Sequence, residues 1–357
     1  MPDWTVEPFT KENSLAAARL RESYYGKGDD TADQAYLEYE YWSNPLGRAV
    51  SVVAWNAEKK EAAGTYALIP TPVKAGSQTQ RCLLSVNVLT GETYRGQGVY
   101  PAMSRAAFQK AAEDGYPLVF GMPNQNSYPI QMKKGYFEDL GPIPLYLRPL
   151  RPSGMVRSYL KSGTLSAMAR PLDGLYRPAS SAGTLFVRLT NENLKLADRF
   201  WEQVKDKYPI MVSRTGQRLA WRFLNIPRRK YQCWYALSAD GAPVALAIGR
   251  KMEVAGIQCA MLADLLFAKG HESQAKALVR KVLDVLREEG ADMAGCLMLP
   301  WTAEAALLRK LGFFKCPKAM EPQPFLFCAH CFQEEIRETG TMDLKNWFFT
   351  MGDYDVV

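Results

Sequence analysis

The sequence predicts an α/β fold made of two similar domains, each with a mixed, mainly antiparallel sheet flanked by helices. Three observations support this prediction. A strand, a glycine-containing loop and a helix follow one another between residues 84 and 115, a series of strand-like segments precedes them, and the second half of the chain repeats this order. The 357 residues suffice for two domains of about 150 residues, each able to bury its own core.

The composition is that of a globular protein, with 47% hydrophobic and 23% charged residues. The chain contains no uncharged apolar run of 18 residues, and residues 1–4 lack the basic and apolar character of a signal peptide. We therefore expect a cytoplasmic protein.

The seven cysteines indicate reduced thiols, because their number is odd and they are scattered through strand-like segments. Cys328 and Cys331 have the spacing of metal ligands, but a zinc site would need a second pair, and His271 stands alone in a polar turn. We therefore expect no metal. With two histidines in all, a histidine-based catalytic triad is not expected either.

Two helical segments, 15–25 and 36–42, begin the first domain, and the second ends before Asn44 and Pro45. Polar turns then separate three strand-like runs, which are 49–55, 62–70 and 80–90. In the last run, Leu84, Val86 and Val88 alternate as in a half-buried strand. The run 145–147 is predicted to close the sheet of this domain.

The segment that follows the third strand has the features of an anion site. Gly96 and Gly98 precede a helix with Pro101 in its first turn, where a missing N–H costs nothing, and Gly115 is expected just past its end. Glycines let successive backbone N–H groups turn toward one point, and the helix N-terminus adds about half a positive charge. The segment therefore predicts a site for an anion, most simply a pyrophosphate.

Two common nucleotide motifs fit this segment less well. A P-loop needs Lys and then Ser or Thr after its last glycine, where this chain has Val99 and Tyr100. A dinucleotide fingerprint needs a third glycine and an acidic residue about 20 positions further on.

The loop resembles the pyrophosphate loop of the GNAT-type N-acetyltransferases, Arg/Gln-x-x-Gly-x-Gly/Ala after the fourth strand. Arg95 and Gly98 match this pattern, whereas Tyr100 replaces the last small residue. The resemblance continues through residues 1–150: Asn124 follows the next strand, and Gly135 of a Gly-Tyr pair comes eleven residues later, as in the family.

The resemblance implies direct acyl transfer from acetyl-CoA, or another acyl-CoA, to a primary amine. It implies an oxyanion-stabilising backbone N–H near Leu89 or Thr90. The implied CoA-binding residues are Leu89, Thr90, Arg95, Gly96, Gln97, Gly98, Val99, Tyr100, Asn124 and Ser127.

The catalytic acid and base are less well defined. Many family members place a Tyr seven residues after the Asn of the fifth strand, and this chain has Gln131 there. Tyr128 is the nearest replacement, with packing or substrate contact as its alternative role. Glu92 is the candidate base, with a solvated loop carboxylate as the alternative. A thiolate with a pKa of about 8.5 can also leave without a proton.

A basic linker, 151–184, is predicted between domains 1–150 and 185–357. Residues 148–177 contain six basic residues and one acidic residue, so this stretch carries a net charge of +5 out of the chain's +7. They are Arg148, Arg151, Arg157, Lys161, Arg170 and Arg177 against Asp173. Two interpretations stay open: a solvated crossover, or a surface for an acidic membrane or a lipid-linked, phosphorylated substrate. Nucleic acid is not expected, because no basic motif alternates with stacking aromatics.

The second domain is predicted to be a degenerate copy of the first. A shift of 177 residues places Gly135 and Tyr136 on Gly312 and Phe313. Under the same shift the loop residues Arg95, Gly96, Gly98 and Tyr100 become Glu272, Ser273, Ala275 and Ala277. This copy is expected to fold but not to hold acyl-CoA.

The acceptor is expected to be a small molecule with a primary amine, for example an amino sugar. The tail 347–355 combines aromatics with carboxylates that could receive an amine; its alternative is an aromatic closing strand with a charged end. Two other functions remain open: a non-catalytic module that senses acyl-CoA, and acetylation of protein Lys or N-termini. Monomer and homodimer are both compatible with the sequence.

Overall fold

A computed structural model describes residues 3–160, 163–174 and 183–354. Lys161 and Arg177 of the predicted linker and Asp355 of the predicted tail lie outside the described residues. Within the described ranges, no helix is both long and apolar enough to cross a membrane.

The regular elements alternate between strands and helices along the chain. The strands are β1 (Thr5–Pro8), β2 (Val50–Asn56), β3 (Glu61–Ala75), β4 (Gln78–Thr90), β5 (Leu118–Gly121), β6 (Glu138–Pro142), β7 (Leu145–Pro149), β8 (Leu185–Arg188), β9 (Ile210–Val212), β10 (Gln232–Leu237), β11 (Pro243–Val254), β12 (Ile257–Phe267), β13 (Met293–Leu297), β14 (Phe314–Lys315), β15 (Leu326–Cys331) and β16 (Trp347–Phe348). The α-helices are α1 (Lys11–Tyr25), α2 (Gln34–Trp42), α3 (Val99–Glu113), α4 (Tyr128–Lys133), α5 (Pro152–Leu160), α6 (Gly163–Ala169), α7 (Lys195–Val204), α8 (Gly216–Leu219), α9 (Glu272–Glu288), α10 (Ala303–Lys310) and α11 (Glu334–Ile336).

The chain divides into two compact units, and neither is one continuous stretch. The first unit comprises Met1–Gly141, Asn225–Arg229 and Leu326–Asn346, and the second comprises Pro142–Leu224, Lys230–Phe325 and Trp347–Val357. Each contains a mixed, mainly antiparallel sheet with helices packed on it, so the predicted fold class is confirmed. The predicted domains 1–150 and 185–357 are continuous, whereas each unit takes segments from both halves of the chain.

The sheet of the first unit has the strand order β1-β2-β3-β4-β5-β15-β6. Strands β4 and β5 are parallel, and their pairing runs from Leu83 with Val119 to Ser85 with Gly121. On the other side of β5 lies β15, which comes from near the end of the chain and pairs antiparallel with it.

The strand predicted to close the first sheet lies elsewhere. Leu147, in β7, pairs with Gly295 of β13, so this strand belongs to the sheet of the second unit. There β7 is an interior strand between β14 and β13. The apolar run 145–147 is buried throughout, and such a run requires cover on both faces but does not specify which strands provide the neighbours. The prediction of a strand was right and the prediction of its place was wrong.

Helix α3 packs closely against β2 and β3 of the first sheet. Its predicted small-residue face is buried, and Ala107 and Ala111 have no exposed surface. Gly64 of β3 lies under this helix, because a Cβ there would come within 2.8 Å of Met103 and 2.9 Å of Val99. The absence of a side chain at residue 64 therefore lets the N-terminal turns of α3 approach the sheet.

The sheet of the second unit has the order β14-β7-β13-β12-β11-β10-β8, and α9 packs on β10, β11 and β12. The predicted tail forms β16, whose Trp347 pairs with Ile210 of β9 and is fully buried. The predicted linker contributes to this unit as well: Arg151 forms an ion pair with Asp292 at 2.8 Å.

A buried charge cluster holds the tail in the second unit. The Arg214 side chain is 1% exposed, and it donates to Asp264 at 3.1 Å and to Asp353 at 2.6 Å. Arg218 lies 3.7 Å from the other oxygen of Asp353, and burial lowers its pKa to about 10. Two guanidinium groups thus face two carboxylates. Because its carboxylate is committed to these partners, Asp353 does not serve the role expected for the tail acids, which was to receive an amine.

Removing one carboxylate from this cluster should destabilise the second unit. We expect Asp353→Ala to lower the free energy of unfolding by about 3–5 kcal/mol, because it leaves a buried cation uncompensated. Glu202→Ala is the matched control: this carboxylate is 65% exposed in its pair with Lys205, so its loss should change stability by less than about 1 kcal/mol. Urea denaturation measures both, and equal effects would contradict the assigned role of the cluster.

Candidate active site

Strand β4 bends away from β5 at a bulge centred on Asn87. The register between β3 and β4 shifts between Thr65 and Ala67, and Asn87 has φ +56°, in the left-handed region that Asn tolerates better than most residues. The pairing of β4 with β5 stops at Ser85, although β4 continues to Thr90. Ser85 pairs with Gly121, the last residue of β5, so β4 and the segment after β5 separate beyond this pair, and we call the opening between them the fork.

The bulge is held by a buried hydrogen bond to helix α2. Asn87 Nδ2 donates to Glu40 Oε2 at 2.6 Å, and the two residues are 8% and 6% exposed. Thr65 Oγ1 donates to the carbonyl oxygen of Asn87 at 3.2 Å. This hydrogen bond anchors the strand where its conformation is least favourable, because breaking a hydrogen bond between buried polar groups is costly. Neither Asn87 nor Glu40 stands out in the sequence, because a single polar residue within a strand or a helix is unremarkable.

The glycine loop leads into helix α3 beside this fork. Gly96 and Gly98 have φ +78° and +80°, and Gly98 is the N-cap of α3. A Cβ at either position would meet nothing within 4 Å, so the positive φ, not crowding, favours glycine. The N–H groups of the first helical turn have no partner within the helix and are available to an anion. The conformation required for the predicted anion site is therefore present.

A cavity of about 690 Å³ lies between the end of β4 and the start of α3. The predicted site residues that line it are Leu89, Thr90, Glu92, Arg95, Gly96, Gly98, Val99, Tyr100, Asn124 and Ser127. Helix α1 adds Tyr24 and Tyr25, which the sequence analysis did not single out. These residues span 38 positions of the sequence, from Leu89 to Ser127, and the fold brings them into one concave site.

Two predicted site residues do not line this cavity. Gln97 is exposed and its side-chain amide donates to the carbonyl oxygen of Thr93 at 3.0 Å. Tyr128 donates its hydroxyl to Asp139 at 2.7 Å, and this bond raises its pKa to about 12. Its ring packs against the core of the first unit. The structure therefore directs the candidate acid away from the cavity.

The remaining candidates differ in their surroundings. Glu92 is 78% exposed, and one of its oxygens lies 3.7 Å from Arg95. Asn124 uses its side-chain oxygen to accept from the backbone N–H groups of Asn126 and Ser127, both at 3.0 Å, and so shapes the loop before α4. Burial raises the pKa of Tyr100 to about 12, so this tyrosine is protonated at neutral pH.

The second unit has a comparable bulge, but its own tail lies there. Asp264, which is 177 residues after Asn87, lies in β12 next to a register shift, and Arg214 binds it. Thr350 pairs with Met298 just beyond β13, and a Cβ on Gly352 would come within 3.1 Å of the Ala263 carbonyl oxygen. The tail therefore occupies the fork between β12 and β13.

The described ranges contain no cluster of side chains typical of a protein metal site. No three His, Cys, Asp or Glu side chains come together there in a metal-binding arrangement. All seven cysteines are free thiols, and the Sγ of Cys331 lies 3.6 Å from Thr341 Oγ1 and 3.3 Å from Met342 Sδ.

The separating β4–β5 pair and the glycine loop at the N-terminus of α3 are the arrangement expected from the resemblance to the GNAT-type N-acetyltransferases. Residues 5–138 match the family model described as "Acetyltransferase (GNAT) domain". By this match, the segment 5–138 is similar to a GNAT acetyltransferase domain.

Solved structures with the same fold cover nearly the whole chain. Saccharomyces cerevisiae N-myristoyltransferase with bound myristoyl-CoA has a TM-score of 0.66 at 9% identity, over 93% of this chain and 79% of that one. A GCN5-related N-acetyltransferase from Anabaena variabilis has a TM-score of 0.61 at 14% identity, over 93% and 73%. A probable N-acyltransferase from Enterococcus faecalis has 0.63 at 13% identity, over 93% and 73%. No curated protein matches the chain significantly.

Substitutions at Asn87 should separate its two contributions to the bulge. We expect Asn87→Ala to lower the free energy of unfolding by about 3 kcal/mol, because Ala disfavours a positive φ and the buried Glu40 loses its hydrogen bond to residue 87. Asn87→Gly loses the hydrogen bond alone and should be less destabilising by about 1 kcal/mol. Urea denaturation compares the two variants. A Gly variant as unstable as the Ala variant would show that φ +56° carries no cost.

Proposed function

We propose that the protein is an N-acyltransferase that binds acyl-CoA, expected to be acetyl-CoA, in the fork and glycine loop of the first unit. The observation that carries this proposal is the single cavity lined by the end of β4 and by the N-terminus of α3. A thioester in the fork and a diphosphate at the helix N-terminus would then belong to one ligand. In the second unit Thr350 pairs with Met298 and Gly352 lies against the Ala263 carbonyl oxygen, so the tail lies where a thioester would have to bind, which supports one acyl-CoA site per chain.

The proposed reaction is direct transfer to a primary amine of a small molecule. The amine loses a proton to a base, its nitrogen bonds to the thioester carbon, and the carbonyl oxygen becomes an oxyanion. A backbone N–H near Leu89 or Thr90, beyond the point where β4 leaves β5, would stabilise that charge. The C–S bond then breaks and CoA leaves as the thiolate. Holding both reactants in line accounts for several kcal/mol of the acceleration, with about 7–11 kcal/mol as the upper range.

Among the candidate groups, Glu92 is retained as the base and Tyr128 is not retained as the acid. The Glu92 carboxylate is exposed at the cavity and can both accept a proton and release it to water. The Tyr128 hydroxyl is bound to Asp139, and no acid is required for a thiolate of pKa about 8.5. A small amine, for example that of an amino sugar, is the acceptor we propose.

A second candidate function is an acyl-CoA sensor without turnover. Gln131 is 2% exposed and Tyr128 faces Asp139, so neither offers a proton donor at the cavity. Binding would then be transmitted to a partner. Turnover is what distinguishes the two functions.

Acyl-CoA binding can be tested with a charge placed at the loop. At about 100 times its Kd, acetyl-CoA should stabilise the wild-type protein by about 2.7 kcal/mol, measured as a rise in melting temperature. Gly98→Asp should abolish this rise, because the carboxylate repels the diphosphate. Gly115→Asp is the matched control, since residue 115 also has a positive φ, +74°, but follows the C-terminal end of α3. Equal responses of both variants to acetyl-CoA would place the site elsewhere.

Turnover can be tested by CoA release with a panel of primary amines. We expect Glu92→Gln to lower kcat by about 10²-fold, a typical contribution of a general base, with the affinity for acetyl-CoA unchanged. Glu113→Gln, an exposed change on α3 outside the cavity, should leave kcat unchanged. Parallel assays with acetyl-CoA and myristoyl-CoA determine the acyl length. Binding without CoA release from any amine would favour the sensor, and release unaffected by Glu92→Gln would remove this residue as the base.

A further inference from the structure

A second cavity, of about 500 Å³, lies beside the first in the same unit. Helix α1, the turn between β2 and β3, and the loop after β4 form its walls. It shares five lining residues with the first cavity, which are Tyr24, Leu89, Thr90, Glu92 and Tyr94. A ligand held in the first cavity can therefore extend into the second.

Three basic side chains converge on this second cavity. Arg19 comes from α1, and Lys59 and Lys60 come from the turn between β2 and β3. Among the described residues, no carboxylate lies within ion-pair distance of any of the three. Such unneutralised cations in one concavity disfavour an ammonium group and attract an anion.

The two acidic residues of the cavity do not cancel this charge. Glu61 accepts the hydroxyl of Tyr94 at 2.7 Å, and Asn56 donates to the same hydroxyl at 2.9 Å. Glu92 has Arg95 as a neighbour at 3.7 Å. Each acid thus has a local partner, whereas among the described residues none of the three bases has a carboxylate partner, and Lys59 lies 5.7 Å from the Tyr94 ring.

An exposed aromatic ring connects the two cavities. Tyr24 lines both and is 44% exposed, with Tyr25 at a centroid distance of 4.9 Å and the Arg95 guanidinium 5.8 Å from its ring. An exposed ring of this kind gives a planar base a surface on which to stack, which contributes about 1–3 kcal/mol per base in proteins that bind single-stranded nucleic acid.

We propose that the second cavity binds the 3′-phosphoadenosine end of the acyl donor, with the adenine on Tyr24 and the 3′-phosphate among Arg19, Lys59 and Lys60. This inference rests on the proposed function, because it requires the diphosphate at the start of α3. The diphosphate of CoA separates the pantetheine arm from the adenosine. The arm lies in the fork, and the adenosine extends past Tyr24 into the neighbouring cavity, which shares five lining residues with the first. The chain should therefore distinguish CoA from dephospho-CoA, which lacks only the 3′-phosphate.

Isothermal titration calorimetry of the full-length protein with CoA and with dephospho-CoA tests this assignment. The wild-type protein should bind CoA about tenfold more tightly, as expected for one or two charge-assisted hydrogen bonds. Lys59→Gln with Lys60→Gln should bind both ligands with the affinity that the wild type has for dephospho-CoA. The preference should also shrink as salt is raised, because these side chains are exposed.

Two further variants serve as controls. Lys11→Gln with Lys110→Gln removes the same charge from exposed positions that line neither cavity, and it should keep the preference for CoA. Tyr24→Ala should weaken both ligands by a similar factor, since both carry the adenine.

The outcomes separate this inference from the proposed function. Equal affinity of the wild type for the two ligands, or a preference that survives in the Lys59 and Lys60 variant, overturns the phosphate assignment and leaves the acyl-CoA site in the fork intact. If Arg19, Lys59 and Lys60 instead bind a phosphate of the acceptor, the wild type would also bind CoA and dephospho-CoA with equal affinity. Failure of the wild type to bind either ligand overturns the inference together with the proposed function.

Discussion

The hydrogen bond between Asn87 and Glu40 is the interaction on which the candidate site depends. A residue at φ +56° in the middle of a 13-residue strand is unfavourable, and it persists because a buried carboxylate binds its side chain. The bulge lies two residues beyond Ser85, the last residue of β4 that pairs with β5, and therefore at the opening of the fork. The glycine loop and α3 lie next to the same part of the sheet, because Gly64 allows the helix to pack close to β3.

The second unit shows what else such a fork can contain. Where parallel strands separate, backbone groups lose their sheet partners, and they must find others in a ligand, in water or in the chain itself. In the second unit Thr350 of the tail pairs with Met298, and Asp353 is fixed by Arg214. The bulge residue is an acid there, Asp264, and its partner is a cation. The fork of one unit therefore borders a cavity, whereas the corresponding place in the other unit holds the chain's own tail.

Local features were predictable from the sequence, and long-range ones were not. The positive φ at Gly96 and Gly98, and the small-residue face of α3, depend on residues adjacent in the sequence. The positions of Tyr24 and of Lys59 at the site depend on how α1 and the turn before β3 meet the loop after β4, which no local pattern encodes. The hydrogen bond from the Tyr128 hydroxyl to Asp139, eleven residues away, could not be predicted for the same reason.

The sequence by itself determined the strand, loop and helix of the anion site and the repetition of that order, because these rest on the periodicity of side chains and on glycine conformation. Only the tertiary structure decided that β7 belongs to the second sheet and that β15 belongs to the first. A buried apolar strand is stabilised by any neighbour that offers backbone hydrogen bonds and apolar cover. Which neighbour it obtains depends on the packing of the whole chain.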